Sequence, residues 1–169
     1  MLNKIKTKTS DVLLSIDPSV NSCGVCIFIN GAPTHYELLT PKEARKQTYP
    51  NELDKLQAKC RELVVKVKGL VDLYKVTSII CEHPEHWDES GFVARESGAL
   101  QKLTFFIGMV CFLDNVALVT PRQWKGQMPK LVTRNRLVKK YPDKDFATID
   151  HNVIDAIGIG EWFCKKEKI

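Results

Sequence analysis

No stretch of the 169 residues holds the ~20 consecutive apolar side chains that a membrane-spanning helix needs, and the segment MLNKIKTKTS has no apolar core of the kind a signal peptide carries. Neither export nor membrane residence is expected, and the chain is read as cytoplasmic. The one close pair of cysteines, Cys23 and Cys26 in CGVC, has no second Cys or His pair at zinc spacing, so a zinc site or dithiol centre is not expected. The six cysteines are scattered and mostly embedded in apolar runs such as SIICEHP and GMVCFLDN, where reduced thiols behave as small hydrophobes. That usage fits a reducing compartment. Internal repeats and low-complexity tracts are also missing.

What remains is 44% hydrophobic and 27% charged, enough for one core, and residues 1–169 are read as a single domain with loose ends at 1–10 and 165–169. The formal net charge of +5 is a mild excess that suits a polyanionic partner.

DVLLSIDPS and CGVCIFIN are β-rich runs, and Asn30-Gly31 signals a tight turn into APTHYELLT, giving three strands expected to be antiparallel. Residues 41–50 read as a polar connection. NELDKLQAKCRELVVKVKGLVDLYK repeats apolar residues at helical spacing behind a capping Asn51. VTSIICE and VALVTP are short strands either side of an apolar helix over residues 91–113. MPKLVTRNRLVKKYP is a basic helix, and DHNVIDAIGIGEWFCKK a helix starting at or near Asp150. This order predicts an α/β fold: a mixed five-stranded sheet with helices on both faces.

Three acids stand where packing alone would not put them. Asp17 ends the first apolar strand, Glu82 ends the fourth, and Asp155 sits inside the apolar NVIDAIGIG helix. Burying a lone carboxylate costs several kcal/mol, so each requires a cation, donors or water. A hard divalent ion, Mg2+ with Mn2+ as a substitute, answers all three at once if the first and fourth strands are neighbours.

LLSIDPSVNSCGVCIF, SIICEHP, TPRQWKGQMPK and DHNVIDAIGIG, in this order, resemble the RuvC family of Holliday-junction resolvases in the RNase H-like superfamily, most of all the compact versions carried by phages. The resemblance spans residues 11 to about 162. It implies an RNase H-like fold and a homodimeric, metal-dependent DNA endonuclease that nicks four-way junctions symmetrically, inside a bacterial host cell if phage-encoded. It also implies that Asp17 bridges two metal ions, with Glu82 completing one site and Asp155 the other. The family's usual Asp or His three residues before the last aspartate is replaced here by Asn152. On a helix of about 100° per residue, His151 lies roughly 40° and Asn152 roughly 60° from Asp155, against roughly 140° for Asp150. Asp150 is also a candidate N-cap, so His151, Asp150 and Asn152 all stay open as the fourth ligand.

For DNA contacts, the basic stretch before the last helix offers Arg122, Lys125, Lys130 and Arg134, and Lys42 and Arg45 offer a second cluster. Trp87 and Phe92, in the loop after Glu82, are candidates to stack on an unpaired base. Other enzymes of this fold that act on branched DNA or on RNA-DNA hybrids share the same acids, and a non-catalytic nucleic-acid-binding module is the rival from another class.

Overall fold

In this computed structural model, which describes residues 11–84, 98–126 and 128–169 without the side chain of Lys130, five strands form one mixed sheet in the order β3-β2-β1-β4-β5. β1 (Val12–Asp17), β2 (Cys23–Ile29) and β3 (Ala32–Leu39) are antiparallel neighbours; β4 (Ser78–Glu82) lies parallel to β1, and β5 (Val116–Val119) parallel to β4. The β2–β3 turn is made by Asn30 and Gly31, both at positive φ (51° and 74°), as a two-residue hairpin of primed type demands. β1 and β2 are buried on both faces, which is why they read as continuous apolar runs.

Six helices complete the described residues: α1 (Lys42–Lys46), α2 (Glu52–Tyr74), α3 (Ala99–Val110), α4 (Pro121–Trp124), α5 (Lys130–Lys140) and α6 (His151–Glu167). One face of the sheet, with Leu14, Ile16, Val25 and Ile27, packs under Cys60, Leu63 and Val67 of α2 and Phe106 and Val110 of α3. The other, with Leu13, Cys26, Phe28 and Ile80, packs under Ile154, Ile157 and Phe163 of α6 and Leu137 of α5. Asn51 caps α2 as expected, its side chain accepting from the amide of Asp54 at 2.9 Å.

Three boundaries differ from the sequence reading. The connection at 41–50 contains α1, because Glu62 on α2 accepts from the amides of Glu43 (3.4 Å) and Ala44 (2.8 Å) and so caps its first turn from a distant part of the chain. α4 was not expected, yet its signal is local: Thr120 accepts from the amide of Gln123 (3.3 Å), Gln123 Oε1 accepts from the amide of Thr120 (2.8 Å), and Pro121 opens the turn. The helix expected over 91–113 is described from Ala99 to Val110, behind a Gly98 in the left-handed region, and residues 91–97 lie outside the described residues, as do 1–10. α6 continues to Glu167, and the amide of Ile169 donates to Cys164 O at 3.0 Å.

Among the described residues no helix is long and apolar enough to cross a membrane.

Candidate active site

The parallel register pairs Ile16 of β1 with Cys81 of β4. One further step sets Asp17 beside Glu82, each the last residue of its strand. Side chains alternate along a strand. Ile16 and Cys81 face the α2 layer, which turns Asp17 and Glu82 to the α6 side, together with Ser15 and Ile80. This corner lies at the carboxyl ends of parallel strands, where open α/β sheets bind their ligands.

α6 is fastened over the same corner. Ser15 Oγ, fully buried, donates to Ala156 O at 2.7 Å, with Cys26 O a second acceptor at 3.2 Å. Asn152 Nδ2 donates to Ser22 O at 2.6 Å and to Ser22 Oγ at 3.1 Å. Asp17 faces Gly24 across the antiparallel pair, and a Cβ at Gly24 would stand 2.0 Å from the backbone oxygen of Asn152. The first turn of α6 therefore rests on β2 beside Asp17. Asp155, one turn further along, is 5% exposed.

A chain of contacts links Asp155 to Glu82. Asp155 Oδ2 stands 3.4 Å from Lys125 Nζ, and the lysine side chain is only 16% exposed. The ammonium lies 4.7 Å from the centre of the Trp124 ring. Trp124 Nε1 in turn donates to Glu82 Oε2 at 2.5 Å. The indole reaches this position by lying on Gly158 of α6, where a Cβ would come within 2.7 Å of it. Lys125 supplies the charge without which the buried carboxylate of Asp155 would be costly.

Beneath the corner, on the α2 side of the sheet, the Cys23 and Cys81 thiols are pushed far up, first by burial and then by neighbouring charge that includes Asp17. Both thiols sit in the core on the α2 side, facing away from the corner. The donors at the corner are thus carboxylate oxygens, a set that suits a hard divalent cation. Among the described residues no three His, Cys, Asp or Glu side chains form a group able to hold a metal ion, and Asp155, expected to join Asp17 and Glu82, is paired with Lys125 instead.

Asp150 is the N-cap of α6, its Oδ1 accepting from the amide of Asn152 at 2.8 Å. His151 is 58% exposed, with Nδ1 3.7 Å from Asp150 Oδ1. The side-chain Nδ2 of Asn152 donates to Ser22.

Of the residues expected to meet DNA, Arg122 on α4 and Lys42 and Arg45 on α1 are exposed, while Lys125 turns inward to Asp155. Lys130 opens α5. Arg134 Nη1 donates to Phe146 O (2.9 Å) and Ala147 O (2.8 Å), and Nη2 to Ile149 O (2.9 Å), holding the segment that leads into α6. Trp87 and Phe92 lie outside the described residues. Arg134→Gln is expected to lower unfolding free energy by about 2 kcal/mol, since three charge-assisted bonds are lost but their carbonyls can turn to water. Urea unfolding measures the loss, and an unchanged midpoint would show that these bonds do not hold the segment.

Sequence reasoning missed Trp124 as a partner of Glu82, Ser15 as the anchor of α6, and Gly24. A lone serine inside an apolar strand was the available signal for Ser15.

No family model and no curated protein matches the sequence. Solved structures do. RuvC of T. thermophilus in complex with a Holliday junction substrate aligns with a TM-score of 0.64 at 14% identity, covering 92% of this chain and 96% of that one. A second structure of Thermus thermophilus RuvC gives 0.59 at 14% identity, covering 93% and 96%. The yeast mitochondrial Holliday junction resolvase Ydc2 gives 0.62 at 10% identity, covering 94% and 81%. The chain has the RNase H-like fold of the RuvC-type resolvases, with the expected mixed sheet and antiparallel first strands.

Proposed function

We propose that this chain is a metal-dependent, structure-selective DNA endonuclease that resolves four-way junctions by paired symmetric nicks, leaving 5′-phosphate and 3′-hydroxyl ends. The observation that carries this reading is the placing of Asp17 and Glu82 side by side at the strand ends under α6, with Asp155 buried in that helix. The fold is that of resolvases, one of which was solved on a Holliday junction substrate.

Asp17, Glu82 and Asp155 would hold the Mg2+ ions, for which Mn2+ can stand in, with His151, Asp150 or Asn152 as the further ligand. When bound, such ions lower the pKa of a water and neutralise charge on the phosphodiester. The protein's own part is positional. Trp124 fixes Glu82 through its indole N–H, and the Ser15 and Asn152 bonds fix α6. Lys125, just past the end of α4, is the cation paired with Asp155, and Arg122 lies exposed on α4 to meet the DNA backbone. A second copy of the chain would supply the second nick, since a four-way junction offers two equivalent strands to a two-fold dimer.

The test is incubation of the purified protein with synthetic four-way, three-way, flap and linear DNA and with an RNA-DNA hybrid, in Mg2+. Symmetric nicking of the four-way junction supports the reading. Stronger cutting of flaps or hybrids would favour another nuclease of the same fold, and binding without cutting would favour a non-catalytic module.

A further inference from the structure

The loop at 18–22 that follows Asp17 is held from two sides. On the α6 side Asn152 bonds Ser22; on the opposite side Arg45 Nη2 donates to Asn21 O at 2.7 Å and Lys59 Nζ donates to Asn21 Oδ1 at 3.0 Å. Arg45 comes from α1 and Lys59 from α2, so two distant segments bring cations to one asparagine.

More positive charge gathers around them. The Lys59 ammonium has its pKa lowered, first by burial and then by the charges of Lys55, Arg45 and Lys102, with Glu52 alone acting the other way. Lys102 comes from α3 and is exposed. Like charges drawn together from three helices repel, and a polyanion would reverse that cost. The donors are also underused: an ammonium has three N–H groups and a guanidinium five, of which one each is committed to Asn21.

We propose that Arg45, Lys59 and Lys102 form a phosphate-binding face for the DNA strand that leaves the carboxylate corner over the 18–22 loop, on the α2 side of the sheet, while Lys55 is paired with Glu52 at 3.4 Å. This rests on the reading of that corner as the place where a phosphodiester is held. It adds a second basic surface, facing away from α4 and α5, so that the two strands leaving the corner each meet cations.

The test uses the full chain and a fluorescently labelled four-way junction, with binding measured in EDTA so that no strand is cut. In the double variant Lys59→Gln/Lys102→Gln, the slope of log affinity against log salt should fall by about 1.8, at ~0.9 per phosphate contact, and affinity should drop about 60-fold near 0.1 M salt. Lys68→Gln, which removes a charge paired with Asp72 further along α2, should leave the slope unchanged. Thermal melting would verify that the double variant is folded. If the unaltered chain binds the junction and the double variant shows the same slope, this face is not a phosphate site. If the unaltered chain does not bind junctions at all, the nuclease reading fails and takes the inference with it.

Discussion

Replacing Asp17 with asparagine is expected to slow junction nicking in Mg2+ by ~10^3-fold or more, about 4 kcal/mol of transition-state stabilisation, while junction affinity stays within about twofold. The substitution keeps the shape of the side chain and removes one charge and one strong oxygen donor. Asp17 sits at a half-buried strand end opposite a glycine, so an amide fits there without repacking. Asp155→Asn would be the less clean choice, because it strands the Lys125 ammonium in a site where that side chain is only 16% exposed. Single-turnover cleavage of a labelled junction, run beside a binding titration, separates the two effects. Residual cutting within tenfold of the unaltered protein would show that Asp17 does not serve the reaction.

Gly24→Ala should damage both fold and activity. The added Cβ would stand 2.0 Å from the oxygen and 2.2 Å from the carbonyl carbon of Asn152, and 2.7 Å from the amide nitrogen of Val153. These are backbone atoms in the first turn of α6 and cannot rotate away. The helix must lift, at a cost of about 3 kcal/mol or more. Because Asp155 rides on that helix, a displacement of about 1 Å relative to Asp17 is expected to cost ~10^2-fold in nicking rate. Gly69→Ala is the internal contrast: it lies in α2 with nothing within 4 Å of the new methyl group, and should stabilise by about 0.5–1 kcal/mol. Urea unfolding of both variants measures the difference. Equal stabilities would mean that α6 does not rest on β2 as described.

These two positions also mark how far the sequence could be read. Asp17 and Glu82 were legible because a charged residue closing an apolar strand breaks a local pattern, and the antiparallel start followed from short β runs joined at Asn30-Gly31. Asp155 was legible for the same reason on a helix. Gly24 was not, because its requirement comes from a helix more than a hundred residues away. Arg134 looked like one more cation in a basic run; only the folded chain brings three carbonyls from 146–149 around its guanidinium. α1 escaped notice since its cap is a carboxylate on α2. α4 differs: its Thr-Pro-Arg-Gln signature is local, but four residues make no hydrophobic periodicity. The link from Trp124 to Glu82 depends on that turn and was lost with it.

All six cysteines are free, and Cys111, just past the end of α3, alone among them is exposed. Burial pushes the thiols of Cys60 and Cys164 up to about 11, and those of Cys23, Cys26 and Cys81 higher still. Partial burial also raises the Cys111 thiol, but it alone is accessible, so a maleimide offered to the folded molecule meets a single exposed sulfur without any prior mutagenesis. That sulfur adjoins Phe112, which is 92% exposed, so a dye or spin label attached there would report when another molecule settles against that end of the helix.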